Sequence, residues 1–176
     1  AANLRNYASG GGTLAYSYFS GIVSSNDDVP TGPYPGQLRD VLGLVIEEFL
    51  PLRAGERTTL ADGSIGRVWS DDIELQGAHS VTDFADGPGA GRPAITRNSF
   101  GEGTAWYLST ALDGADLDGF VTAVLDSADS PYSPISDLET VVRRGDGTDY
   151  VFQINHGALD AGAGTVGHDL LADRAV

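Results

Sequence analysis

From residue 13 to residue 23 the chain reads TLAYSYFSGIV. Leu14, Tyr16 and Tyr18 alternate there with Ala15, Ser17 and Phe19, so an extended segment would be largely apolar on both faces. A strand apolar on two faces belongs in a sheet covered on both sides, which is the habit of parallel strands. Ahead of it, Leu4 and Tyr7 recur at helical spacing within residues 2–8. Ser9-Gly10-Gly11-Gly12 then stops that helix, because glycine adopts the left-handed C-cap conformation without steric cost. Helix, glycine turn and buried strand make the second half of a βαβ unit, and the first strand of that unit is expected upstream of Ala1.

The pattern then shortens. Pro30, Gly32, Pro33, Pro35 and Gly36 mark residues 26–36 as a loop. Residues 37–42 predict a short helix closed by Gly43, and residues 45–52 a strand or extended segment. Short strands follow at 65–69, 73–75 and 80–84, with turns at Asp62-Gly63 and Asp86-Gly87. Residues 93–97 and 104–110 predict two more strands joined by a turn at 98–103. Asp116 is the expected cap of the clearest helix, whose Leu117, Phe120, Val121, Val124, Leu125 and Ala128 share one face and need a sheet beneath them. DSPYSPIS, residues 129–136, is the predicted linker between domains. Beyond it, residues 138–144 and 149–156 flank Gly145-Asp146-Gly147-Thr148, a hairpin signature, with Tyr150, Phe152 and Ile154 expected to face inward. About 40 residues of hairpin cannot supply a core alone, so this tail is expected to dock or to be incomplete. There is no internal repeat and no low-complexity tract.

Composition narrows the function more than the fold. The 176 residues allow one domain of ordinary size, or one plus a small appendage, and 41% hydrophobic with 20% charged residues is a soluble globular balance. A formal net charge of -15 argues against nucleic acid and anionic membrane surfaces as partners. No apolar run approaches the roughly 18 residues that suggest a membrane span, and no signal peptide is visible. All 10 basic residues are arginine, and Lys, Cys and Met are absent. That excludes a P-loop lysine, a Schiff-base lysine, a thiol nucleophile, a disulfide and cysteine-ligated zinc. A first residue of Ala rather than Met suggests a processed chain or a piece of a longer one, and the second is the expectation adopted.

Five phrases in order, YFSGIV with its acidic cluster, YPGQLRDVLGLVIEEFLPL, RPAITRN, GEGTAWYLSTALD and VVRRGDGTDYVFQINH, resemble the β-galactosidases of glycoside hydrolase family 42 over nearly the whole chain. The resemblance implies an α/β fold. Residues 1–128 would be the later half of the family's trimerisation domain, flavodoxin-like or class I glutamine amidotransferase-like. Residues 129–136 would be a linker, and 137–176 part of a small antiparallel C-terminal β domain. It further implies a homo-oligomer, a trimer in the family, and a cytoplasmic location. Its partner would be the catalytic (β/α)₈ barrel of a parent enzyme that hydrolyses terminal β-D-galactosides. A barrel needs roughly 250 residues, so the family's catalytic glutamates have no counterpart here to carry over.

The candidate chemistry is weak against that background. Ser20 follows an apolar strand where an amidotransferase-like enzyme places its nucleophile. However, Tyr18 and Ile22 stand where a G-x-S-x-G elbow needs glycine, and His79, His156 and His168 are remote in sequence. A hydroxyl serving the strand-exit backbone is the better reading of Ser20. The triple glycine precedes a strand rather than opening a helix, so a C-cap fits it better than a phosphate cradle. Asp27-Asp28, Glu47-Glu48 and Asp71-Asp72 are adjacent pairs whose members point apart on a strand, and they read as solvated surface rather than as a glycosidase acid and nucleophile. Asp113, Asp116 and Asp118 fit a calcium loop poorly, since Gly114 and Leu125 fall on ligand positions. Tyr16, Tyr18, Trp69 and Trp106 can stack on sugars but read as core. No catalytic, metal or cofactor-binding residue is predicted. The leading expectation is a non-catalytic assembly module, against a free-standing amidotransferase-like enzyme using Ser20 and a galactoside-binding accessory module.

Overall fold

In the computed structural model, which describes residues 2–24, 26–29, 31–129, 137–160 and 166–175, helix α1 (Ala2–Ser9) ends as its glycines require. Gly10 N–H donates to Asn6 O, Gly12 N–H to Tyr7 O, and Gly11 takes φ +102°. The chain then enters β1, which is Thr13–Ser17 and no longer. The expected strand to residue 23 is cut short by Phe19. Its φ of +66° is left-handed, and no strand continues through such a residue.

A 3₁₀ turn (Gly36–Leu38) runs into α2 (Arg39–Leu42), closed by Gly43. At φ +62°, Gly43 lies so close to Asn98 that a Cβ would stand 2.6 Å from the Asn98 Cγ. The Asn98 amide in turn donates to Val41 O at 2.8 Å. The strands β2 (Leu44–Phe49), β3 (Arg57–Thr59), β4 (Ile65–Arg67) and β5 (Asp71–Leu75) form two antiparallel ribbons, β2 with β5 and β3 with β4. Strand β3 was not expected, because RTT alone carries no hydrophobic pattern.

The main sheet combines β1 with β6 (His79–Asp83), β7 (Pro93–Phe100) and β8 (Gly103–Leu108), in the order β1-β8-β7-β6. Only β1 and β8 are parallel; the other pairs are antiparallel. The turn between β7 and β8 is tighter than the expected 98–103, since Phe100 already pairs with Gly103. Central β8 divides two cores. Ala105 and Tyr107 join Ala8, Val41, Leu42, Leu44, Ile46 and Ile73 on one face. Trp106 and Leu108 join Leu60, Phe84, Ala94, Ile95 and Leu112 on the other. The architecture is thus a mixed sheet with few helices. Among the described residues β1 pairs with β8 alone, and its residues are half-buried or exposed rather than covered on both faces as expected.

Helix α3 (Gly114–Ser127) covers the second core with Phe120 and Val124. Its N-cap is Asp113, not the expected Asp116. The Asp116 carboxylate lies inside the first turn and accepts the Ile65 N–H at 2.9 Å, tying the helix to β4. Of the predicted apolar face, Leu117 and Val121 remain exposed.

The chain divides into two compact units, Ala1–Ser130 and Pro131–Val176. Most of the expected linker, residues 130–136, lies outside the described residues. In the second unit β9 (Leu138–Gly145) and β10 (Thr148–Asn155) form the predicted hairpin around Asp146 and Gly147, both with positive φ. Strands β11 (His168–Asp169) and β12 (Arg174–Ala175) pair separately. Tyr150, Phe152 and Ile154 do not face inward but are exposed, since two strands bury neither of their faces. No described helix is long and apolar enough to cross a membrane.

Candidate functional site

Open α/β sheets place their sites beyond the carboxyl ends of parallel strands. At that end of β1 and β8, Tyr18 N–H still donates to Leu108 O, and then the chain turns at Phe19. Facing this turn is the β4–β5 connection. There Trp69 N–H donates to Arg67 O at 2.7 Å across Val68, whose φ is +68°. This is a γ-turn of the rare positive-φ kind, and a β-branched residue at its centre is strained. Flanking bonds hold it: Leu52 N–H to Val68 O, and a reciprocal pair between Leu50 and Ser70. The turn aims the Trp69 ring at Phe19 (centroids 4.3 Å apart), Phe49 (5.4 Å) and Tyr18 (6.1 Å, stacked). Tyr34 extends the chain of rings against Phe49 at 5.0 Å. Phe19 is 46% exposed and Val68 55%.

Beneath the rings lies Asp71, fully buried. Its carboxylate accepts the Trp69 Nε1–H at 2.7 Å and the Tyr107 hydroxyl at 2.9 Å. Burial pushes its pKa up to about 6, and the two hydrogen bonds oppose that rise. The same burial, with the facing carboxylate, raises the Tyr107 phenol, which stays protonated. Asp71 was expected on a solvated surface beside Asp72, so this part of the expectation is corrected. Asp72 does reach out, to Arg92 at 3.0 Å. The two residues point apart, and burial on the inner face of the β2–β5 ribbon takes only the first. Sequence reasoning missed Asp71 although a signal was present: Trp69 and Asp71, two positions apart, form an indole donor and an acceptor at the same edge.

The other candidates separate. Ser20 N–H donates to Ser17 O within the turn. His79 lies on β6, three strands across the sheet, ~14 Å away from spacing alone. In their own unit, His156 pairs with Glu139 and His168 with Asp173. Glu47 and Glu48 are both exposed, since a register shift in β2 breaks the alternation there. Asp27 and Asp28 are exposed on a loop that Ser24 Oγ pins by accepting the Asn26 and Asp28 N–H groups. Trp106 is core, with Nε1 donating to Ser127 Oγ, and Tyr16 is half-buried. Asp113 pairs with Arg67. No group of three or more potential metal ligands occurs among the described residues. What the site offers outward is aromatic area, not a reactive pair.

Residues 1–130 match the family described as the β-galactosidase trimerisation domain. The chain belongs to that family. Over 98% of its length it is 39% identical to a β-galactosidase of Arthrobacter sp, and over 89% it is 37% identical to β-galactosidase LacZ of Heyndrickxia coagulans. It covers 25% and 24% of those two proteins, so this trimerisation-domain chain spans about a quarter of the relatives it matches. Among solved structures it is similar to the β-galactosidase of Bacillus circulans sp. alkalophilus, with a TM-score of 0.82 and 31% identity over 98% of this chain and 28% of that one. Gan42B, a GH42 β-galactosidase, gives 0.75 and 26% over 88% and 24%.

Proposed function

We propose that this chain is the non-catalytic trimerisation and C-terminal portion of a β-galactosidase whose parent hydrolyses terminal β-D-galactosides with retention. The match of residues 1–130 to the trimerisation-domain family carries the reading. Residues 1–128 are the later half of a flavodoxin-like or amidotransferase-like domain, 129–136 its linker, and 137–176 part of a C-terminal β domain. The catalytic barrel belongs to polypeptide outside this chain. The unpaired edge of β1 supports the first assignment, because α1 and α3 leave Leu4, Tyr7, Leu117 and Val121 exposed, the apolar flanks that a further strand would bring under cover. The role is geometric: it holds barrels in a closed ring.

The test is an aryl β-galactoside assay with the purified chain, together with fluorophosphonate labelling. The expected outcome is no turnover and no adduct on Ser20. Turnover that survives purification and is lost on substituting a carboxylate of this chain overturns the reading, as does stoichiometric labelling of Ser20.

A further inference from the structure

We propose that the arginine-lined notch beside Val68, with the Phe19–Trp69 surface that borders it, is the face through which one copy of this chain docks an acidic face of a second copy. The inference rests on the assembly reading above and names the surface that performs it. The notch has a volume of ≈ 360 Å³, and its wall includes Leu52, Arg53, Glu56, Arg57, Arg67 and Val68.

Charge selects the occupant. Carboxylates outnumber arginines 25 to 10. Arg5, Arg67, Arg92 and Arg144 each hold an aspartate. The exposed guanidinium groups of Arg53 and Arg57 have no carboxylate partner among the described residues, and Glu56 is turned to the Arg53 N–H instead. A cationic notch on a chain of net charge -15 is complementary to the net negative charge of another copy.

Trp69 directs its indole N–H inward to Asp71, so its ring adds apolar area to this surface. Arginine beside an exposed Phe19 and the half-buried Trp69 and Tyr18 is a composition enriched at interfaces. Two strained non-glycine residues, Phe19 and Val68, lie at this one patch, and strain of this kind persists where a function is served.

The notch and the acidic face it meets are different patches, which a head-to-tail contact satisfies, and such a contact closes into a ring when its rotation closes.

The test is sedimentation velocity of the full chain at 0.15 M and 1 M NaCl, comparing wild type, the double variant R53E/R57E and Phe19→Asn, with thermal melts confirming that each variant folds. Asparagine accepts the left-handed conformation, so Phe19→Asn removes the ring without opposing the turn. A purely structural Phe19 therefore predicts unchanged assembly. Wild type is expected to associate, more weakly at 1 M NaCl, and each variant to raise the dissociation constant roughly tenfold or more at 0.15 M. Either folded variant assembling as wild type does overturns this surface but leaves the assembly reading standing. Wild type sedimenting as a monomer overturns both.

Discussion

At the scale of single residues, Asp71 sets the pH behaviour of the first unit. Its pKa rises from 3.8 in the unfolded chain to about 6 in the fold. Its contribution to stability is therefore fully present below pH 3.8 and is lost as pH rises through 6. Asp40 runs the other way. Its hydrogen bond from Arg5 lowers its pKa, so its contribution is present above 3.8 and lost as pH falls through the lowered value. Stability is therefore expected to be highest near pH 4 and to fall from there to about pH 6. Asp71→Asn keeps an acceptor for the Trp69 indole and offers a donor to the Tyr107 oxygen. It should flatten the fall across pH 4–6, which the rise from 3.8 to about 6 sets at about 3 kcal/mol. Urea unfolding of both proteins from pH 4 to 8 measures this; an unchanged pH profile would show that Asp71 titrates normally.

At the scale of elements, the contacts that matter lie where short helices meet strands. Gly43 closes α2 against Asn98 of β7 in a space with no room for a Cβ. Gly43→Ala is expected to lose about 2–3 kcal/mol, from strain at positive φ and overpacking against a buried amide. A lowered urea midpoint at constant slope is the readout. Helix α3 gives a second contrast. Phe120 packs edge-on against Trp106, with centroids 6.2 Å apart, whereas Leu117 is exposed. Phe120→Ala should cost about 2–4 kcal/mol and Leu117→Ala less than about 0.5 kcal/mol in this chain. Equal losses at the two positions would mean that the helix face is assigned wrongly.

At the scale of the whole molecule, stability is concentrated in the main sheet. The β9–β10 hairpin keeps Val142, Tyr150, Phe152 and Ile154 exposed, and an isolated hairpin is marginal in water. Its amides should exchange with deuterium far faster than those of β7 and β8, as mass spectrometry of peptic fragments would reveal. The open edge of β1 predicts that adding the upstream polypeptide of the proposed parent raises the melting temperature. Without that addition, exposed edge and apolar flanks favour association, because the repulsion from a net charge of -15 is screened beyond ~8 Å at about 0.15 M salt. Light scattering and melts on both polypeptides decide it. A cooperatively melting monomer that gains nothing from the addition would count against the proposed half-domain.

The sequence alone determined whatever depends on neighbours along the chain. The glycine stop after α1, the Gly43 cap, the Asp-Gly hairpin and most of the strands were legible, since turn chemistry and hydrophobic period are local. The ordered phrases that resemble one family were legible for the same reason. Tertiary structure decided what depends on residues far apart. It ended β1 at Ser17 through a left-handed Phe19, which the favourable strand composition of residues 18–23 concealed. It moved the cap of α3 to Asp113, because Asp116 was taken by the Ile65 N–H 51 positions away. It placed Asp71 under an indole and a phenol, although it reads as one of two adjacent surface acids. A carboxylate's chemistry is set by the solvent it loses and the donors it meets, and neither is written in its sequence neighbours.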